Sequence, residues 1–267
     1  MLKIKPRYYR WHVDPGVAWS EANTSYDTLD WEIPLGKAAI IALDTWAFHY
    51  LKETQGRIND ITENKIVPLL ERCRDSGLEI IHAPGVQVAV EHPQWVKMVG
   101  EGELEWPVYD PEWPPNDFIK SKGDFTKYEH PFEPRQAWLE KRRKQRCFHP
   151  LLEPKEGESV VANGEELHRY CKKKGILFLF YVGFNTNHCI ILNDYGTTHM
   201  HNRGYKVTLV RDCTTGMESF ETVETLDQTR AVILHLEMTQ RFSVAADEIM
   251  KGLAAVRGEV ERGRVNE

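Results

Sequence analysis

Four short, uninterrupted apolar runs, three of them entered from a helix-like segment that closes on glycine, constrain this chain more than any other feature. The first is Ala38–Leu43 (AAIIAL), which stops at the polar Asp44. The next segment places Ile66, Leu69, Leu70 and Cys73 at helical spacing, ends at Gly77 and hands over to LEIIH. A second helix, roughly 165–174, ends at Gly175 before ILFLFYVG; a third, about 187–203, ends at Gly204 before YKVTLV. Strands apolar on both faces belong inside a sheet covered on both sides, and right-handed crossovers between parallel strands put the helices there. The fold predicted is α/β, a three-layer α/β/α sandwich around a mostly parallel, doubly wound sheet.

The chain has 267 residues, enough for a full core without disulfide staples, and is read as a single domain over 1–267. An N-terminal arm covers 1–35 and an insertion covers 85–155. Between Pro84 and Pro154 the alternation stops, and ten of the 14 prolines and four of the 8 tryptophans fall there, which predicts a sub-structure over the sheet's edge or mouth. The basic run 141–146 (KRRKQR) reads as a solvated helix face ahead of the alternative, a site for an anionic substrate. After Asp212 a helix through AVILHL, an edge strand near 242–245, a last helix ADEIMKGL and a frayed tail over 258–267 are expected.

A formal charge of -6 gives no whole-molecule attraction for phosphate backbones or anionic lipid, which argues against nucleic-acid and membrane partners. Five scattered cysteines without a CxxC encode neither a disulfide framework nor a zinc knuckle. With no signal-peptide core and no long apolar stretch, a cytoplasmic protein is expected. No cofactor is expected, and the partner is a small-molecule substrate.

In open parallel sheets, sites form beyond the carboxyl ends of strands where strand order reverses. Asp44 terminates the first strand in IIALDTW, and Cys189 follows the central strand through the turn GFNTNHC. If the two strands are neighbours, carboxylate and sulfur share one crevice. A cysteine at a helix start is expected to have its thiolate favoured by unpaired amides, and a carboxylate beside it can take and return the thiol proton. The plainer alternative is that Cys189 is a small buried hydrophobe.

The segments IIALDTW, LEIIHAPG, GILFLFYVGFNTNHCIILNDYG and RGYKVTLVRDCTT together resemble the isochorismatase-like cysteine hydrolases, over about 36–84 and 156–250. The resemblance implies Asp44 as general base, Cys189 as nucleophile, the amides of Cys189 and Asn185 as oxyanion hole, and a cis peptide at Phe184–Asn185. It also implies a homo-oligomer, dimer or tetramer.

One part of the family pattern is missing. A catalytic lysine usual at the end of the third strand is replaced by Ala162 and Asn163 in EGESVVANGEELHRYC. Lys122 and Lys120 in the insertion are the substitutes expected, ahead of Lys155, because a lid can reach the crevice. Trp46, His49, His82 and Phe184 are expected to line the substrate pocket. The histidines do not reproduce the family's metal-binding grouping, so no metal is expected. Two functions follow: a cysteine hydrolase cleaving a C–N bond of a small amide, ureide or carbamoyl compound through an acyl-enzyme, or a non-hydrolytic ligand-binding or structural member of the same fold.

Overall fold

A computed structural model describes residues 1–107, 110, 112–131 and 134–265. The strands are β1 (Leu2–Ile4), β2 (Arg7–Arg10), β3 (Ser25–Thr28), β4 (Trp31–Ile33), β5 (Ala38–Leu43), β6 (Glu79–Ala83), β7 (Ser159–Val160), β8 (Phe178–Gly183), β9 (Lys206–Val210) and β10 (Phe242–Val244). The helices are α1 (Lys52–Ile61), α2 (Val67–Ser76), α3 (Val86–Ala89), α4 (Asn116–Ile119), α5 (Gln136–Arg143), α6 (Gly164–Lys174), α7 (Cys189–Leu192), α8 (Thr197–Asn202), α9 (Asp227–Met238) and α10 (Ala246–Val265).

Eight strands form one sheet in the order β3-β2-β10-β9-β8-β5-β6-β7, and all neighbours from β10 to β7 are parallel. Starting from β5 the chain builds outward through β6 and β7 on one side, then returns to β8 and builds through β9 and β10 on the other. Strand order therefore reverses between β5 and β8, the doubly wound arrangement predicted.

Residue alternation in β5 explains why both faces are covered. Ala38, Ile40 and Ala42 pack with Leu69, Leu70, Ile249 and Leu253 under α2 and α10, whereas Ala39, Ile41 and Leu43 pack with Leu167, Tyr170, Met200 and Leu236 under α6, α8 and α9. Period-two alternation delivers every second side chain to each layer, and burying each large aliphatic side chain there contributes about 1.5–3 kcal/mol.

The N-terminal arm holds more regular structure than its sequence suggests. β2 and β3 extend the sheet antiparallel beyond β10, and β1 pairs with β4 as a separate two-stranded ladder. The insertion divides its tasks. Trp95 bridges Val160 beside β7 and donates its indole N–H to the buried Glu166 at 2.8 Å, while α5 and the stretch after it lie over the sheet's mouth. The expected third helix is broken into α7 and α8. At the other end, α10 stays helical to Val265 where fraying was expected; residues 266 and 267 lie outside the described residues. Among the described residues no helix is long and apolar enough to cross a membrane.

Candidate active site

Register brings the two reactive ends level. Leu43 pairs with Gly183 of β8 on one side and Ala83 of β6 on the other, so the residues that follow all emerge at one rim. The approach is tight: a Cβ on Gly183, at φ +117°, would stand 1.9 Å from the Leu43 carbonyl oxygen. Only glycine allows it. The Phe184 amide then donates to that carbonyl at 3.1 Å, and the Phe184–Asn185 peptide is cis.

Asp44 is buried and adopts φ +47°, a left-handed backbone that Asp tolerates better than most residues. The Tyr195 hydroxyl donates to its Oδ1 at 3.0 Å and the Asn193 side-chain amide to its Oδ2 at 3.1 Å. Tyr195 and Asn193 were not singled out from sequence. They reach Asp44 because the chain leaves the helical path between α7 and α8. At Gly196 a Cβ would meet the carbonyls of Asn193, Cys189 and Ile190 at 2.8–2.9 Å, so the sharp turn there also requires glycine.

The Cys189 thiol faces the Asp44 carboxyl and the Asn185 backbone amide. Burial, opposed by hydrogen bonds from Cys189, Tyr195 and Asn193 and by the Arg146 charge, raises the Asp44 pKa to about 7. Burial first, and the Asp44 charge second, push the Cys189 thiol well above its usual range. This reverses the sequence expectation of a favoured thiolate. α7 is a single turn, and desolvation beside an acid outweighs whatever so short a helix offers. Among the described residues neither the Asn185 nor the Cys189 amide donates to a backbone carbonyl, and the Asn185 amide faces the Cys189 sulfur, which leaves both available to an oxyanion.

Around this pair lies a cavity of about 370 Å³ lined by Trp46, Phe48, His49, Tyr50, Asn185 and Cys189 among others. His49 accepts the Leu51 amide at Nδ1 over 3.1 Å, leaving Nε2 to carry the ring proton in the neutral form; its side chain also meets that of Asn185. Asn185 Nδ2 is buried and has no partner. Two residues expected in the pocket stand elsewhere. His82 points away into the layer beneath, fully buried, with Nε2 2.7 Å from Glu158 Oε2. Phe184 turns its ring into the core with Val182 and Val210.

The lysines expected to substitute do not reach the cavity. Lys120 and Lys122 are exposed in the insertion, Lys155 is exposed before β7, and none of the three lines the cavity. Asn163 caps α6 by accepting the Glu166 amide at 2.9 Å, and Ala162 packs beside Ala89 and Val160, so the family's lysine position serves structure here. Arg146 lines the cavity and acts electrostatically on both Asp44 and Cys189. The Ala47 amide donates to the Cys147 carbonyl at 3.1 Å, the His149 amide donates to the Thr45 carbonyl at 2.8 Å, and Trp46 bridges Phe148 between them. That antiparallel clasp lays the Arg146 guanidinium 3.8 Å from the centre of the Trp46 ring, itself fixed by donation to the Pro84 carbonyl at 2.9 Å.

Among the described residues no group of three His, Cys, Asp or Glu side chains is placed to hold a metal ion. Asp44 is engaged by a phenol and an amide, and His49 by backbone and amide groups, so the donor set does not fit the metal that some relatives carry.

Comparison with known proteins agrees with this architecture. The isochorismatase domain pattern matches residues 40–240. A cysteine hydrolase from Pseudomonas syringae pv. phaseolicola 1448A superposes with a TM-score of 0.53 at 15% identity, covering 85% of this chain and 96% of that one. An isochorismatase family protein from Desulfovibrio vulgaris subsp. vulgaris str. Hildenborough gives 0.49 at 16% identity over 82% and 98%. Nicotinamidase PncA from Bacillus subtilis gives 0.41 at 14% identity over 78% and 99%. No curated protein sequence matches the chain significantly.

Proposed function

The chain belongs to the isochorismatase family, and on that premise we propose that it hydrolyses a C–N bond of a small amide, ureide or carbamoyl compound, with Cys189 as nucleophile and Asp44 as its proton acceptor. The observation that carries this reading is the meeting of thiol and carboxyl across the β5–β8 reversal, inside a cavity open to small molecules.

The chemistry runs in two halves. Sγ of Cys189 attacks the carbonyl carbon while the thiol proton passes to Asp44, and the carbonyl electrons move onto oxygen. The oxyanion accepts from the Asn185 and Cys189 amides, with the Arg146 charge beside it. Asp44 returns the proton to the nitrogen as the C–N bond breaks, releasing the amine and leaving a thioester. Water then adds to the thioester, giving its proton to Asp44, which restores the thiol as the carboxylic acid departs. Because the resting thiol holds its proton tightly, proton transfer accompanies C–S bond formation instead of preceding it.

Ammonia release from a panel of primary amides and ureides tests the reading. Cys189→Ala is expected to abolish release, and Arg146→Gln to slow it by about 10²–10³-fold, the usual cost of losing one oxyanion stabiliser. Simple alkylation is a poor substitute, since Cys147 is exposed at the cavity rim and competes for reagent. Turnover lost in Cys147→Ser and kept in Cys189→Ala would overturn the assignment. The high thiol pKa also favours a second reading, a ligand-binding relative; it predicts binding of the same compounds with no ammonia released.

A further inference from the structure

The cavity wall contributed by the insertion carries an unbalanced charge. Arg142, Arg143 and Arg146 all line it, and Asp44 is the one carboxylate among the lining residues. Asp44 already receives Tyr195 and Asn193. The remaining inventory is rich in donors: three guanidiniums, the unpartnered Asn185 Nδ2, and the amides of Asn185 and Cys189. None of the three arginines lies within salt-bridge distance of a carboxylate among the described residues.

Geometry makes two of these arginines, Arg142 and Arg146, part of a built wall, and Arg143 lines the cavity beside them. The Arg142 guanidinium lies 4.4 Å from the centre of the Phe48 ring, and Trp138, on α5 with Arg142, meets Phe48 edge-on at 5.7 Å. Stacking on aromatic faces leaves the in-plane N–H groups directed outward, and a guanidinium so held binds a carboxylate with two parallel hydrogen bonds. Trp46, Phe48 and Tyr50 supply flat apolar walls beside them.

We propose that the substrate of this site is an anion: a planar amide or ureide bearing a carboxylate, which Arg142 and Arg143 hold while the scissile carbonyl lies at Cys189. This rests on the hydrolase reading for the reaction, but not for the binding.

Binding to the full-length Cys189→Ala protein therefore separates the two. Benzoate and benzamide, of the same shape and differing in charge, are titrated by calorimetry. Benzoate is expected to bind at least tenfold more tightly. Arg142→Gln/Arg143→Gln is expected to remove that preference, while Lys141→Gln/Lys144→Gln, which removes the same charge from residues outside the cavity wall, retains it. Equal affinity for the two probes, equal loss in both double variants, or tighter binding of inorganic phosphate than of benzoate would each overturn the proposal. A thermal melt of each variant shows whether α5 and the core remain folded. Preference for benzoate without ammonia release from any amide would leave the anion site standing and remove the hydrolase reading alone.

Discussion

At the scale of single residues, Asp44 holds a measurable conflict between stability and chemistry. Its pKa is about 7 in the folded protein against 3.8 for an ordinary aspartate. Between those values the native state binds more protons than the unfolded chain, so folding stability falls as pH rises, by on the order of 4 kcal/mol across the interval. Asp44→Asn removes the buried charge. It should be inactive, and more resistant to urea than the parent at pH 8, with the gap narrowing towards pH 5; a gap independent of pH would remove the burial argument. The proposed role of Asp44 needs its carboxylate form to accept the thiol proton, so kcat/KM should rise with pH through about 7. Asp44 stands out in the sequence because it ends an apolar run, and Cys189 because it follows the strand ILFLFYVG through the turn GFNTNHC. Arg146 was not: its position depends on the clasp of 146–149 against 45–47, a pairing about a hundred residues apart that no local pattern in KRRKQR reveals. Tyr195 and Asn193 were hidden for the same reason, inside a stretch that reads as continuous helix.

At the scale of elements, the strands with apolar residues on both faces announced themselves, and those without did not. β5, β6, β8 and β9 are nearly continuous apolar runs, whereas β2 (RYYR) is only half-buried and β3 (SYDT) is exposed at the sheet's edge, so neither carries the alternation that marks a strand. His82 shows the limit of reading from strand ends. It lies one residue before the end of β6, and the pleat sends it to the opposite layer, where it pairs with Glu158, itself held by the Arg74 guanidinium. The contact between β5 and β8 has a sharper test. Gly183→Ala would drive a Cβ into the Leu43 carbonyl at a backbone angle that L-residues avoid, and the ends carrying Asp44 and Cys189 would have to separate. A loss of roughly 3 kcal/mol or more is expected in chemical denaturation, together with loss of turnover. Unchanged stability would mean that the strand ends are not locked as described.

At the scale of the whole molecule, two electrostatic fields oppose each other. The protein carries a formal charge of -6, which repels an anionic substrate at long range, while the cavity gathers three arginines around one acid. Their ranges decide the outcome. The Debye length is about 8 Å at physiological ionic strength, so the distributed surface charge is screened first, whereas guanidiniums in contact with a bound carboxylate are screened less but still lose attraction as salt rises. If the global charge governed capture, added salt would lower KM for an anionic amide by relieving repulsion. If the insertion's arginines govern it, salt raises KM, and the neutral analogue stays nearly constant. The expected result for a hydrolysable carboxylate-bearing amide is a KM that climbs several-fold between about 20 and 500 mM salt, with kcat little changed because salt weakens capture of the carboxylate and not the chemistry that follows. The dependence should flatten in Arg142→Gln/Arg143→Gln and persist in Lys141→Gln/Lys144→Gln. A KM that falls with salt would show that the net charge of the fold, and not the wall built by its insertion, determines what enters.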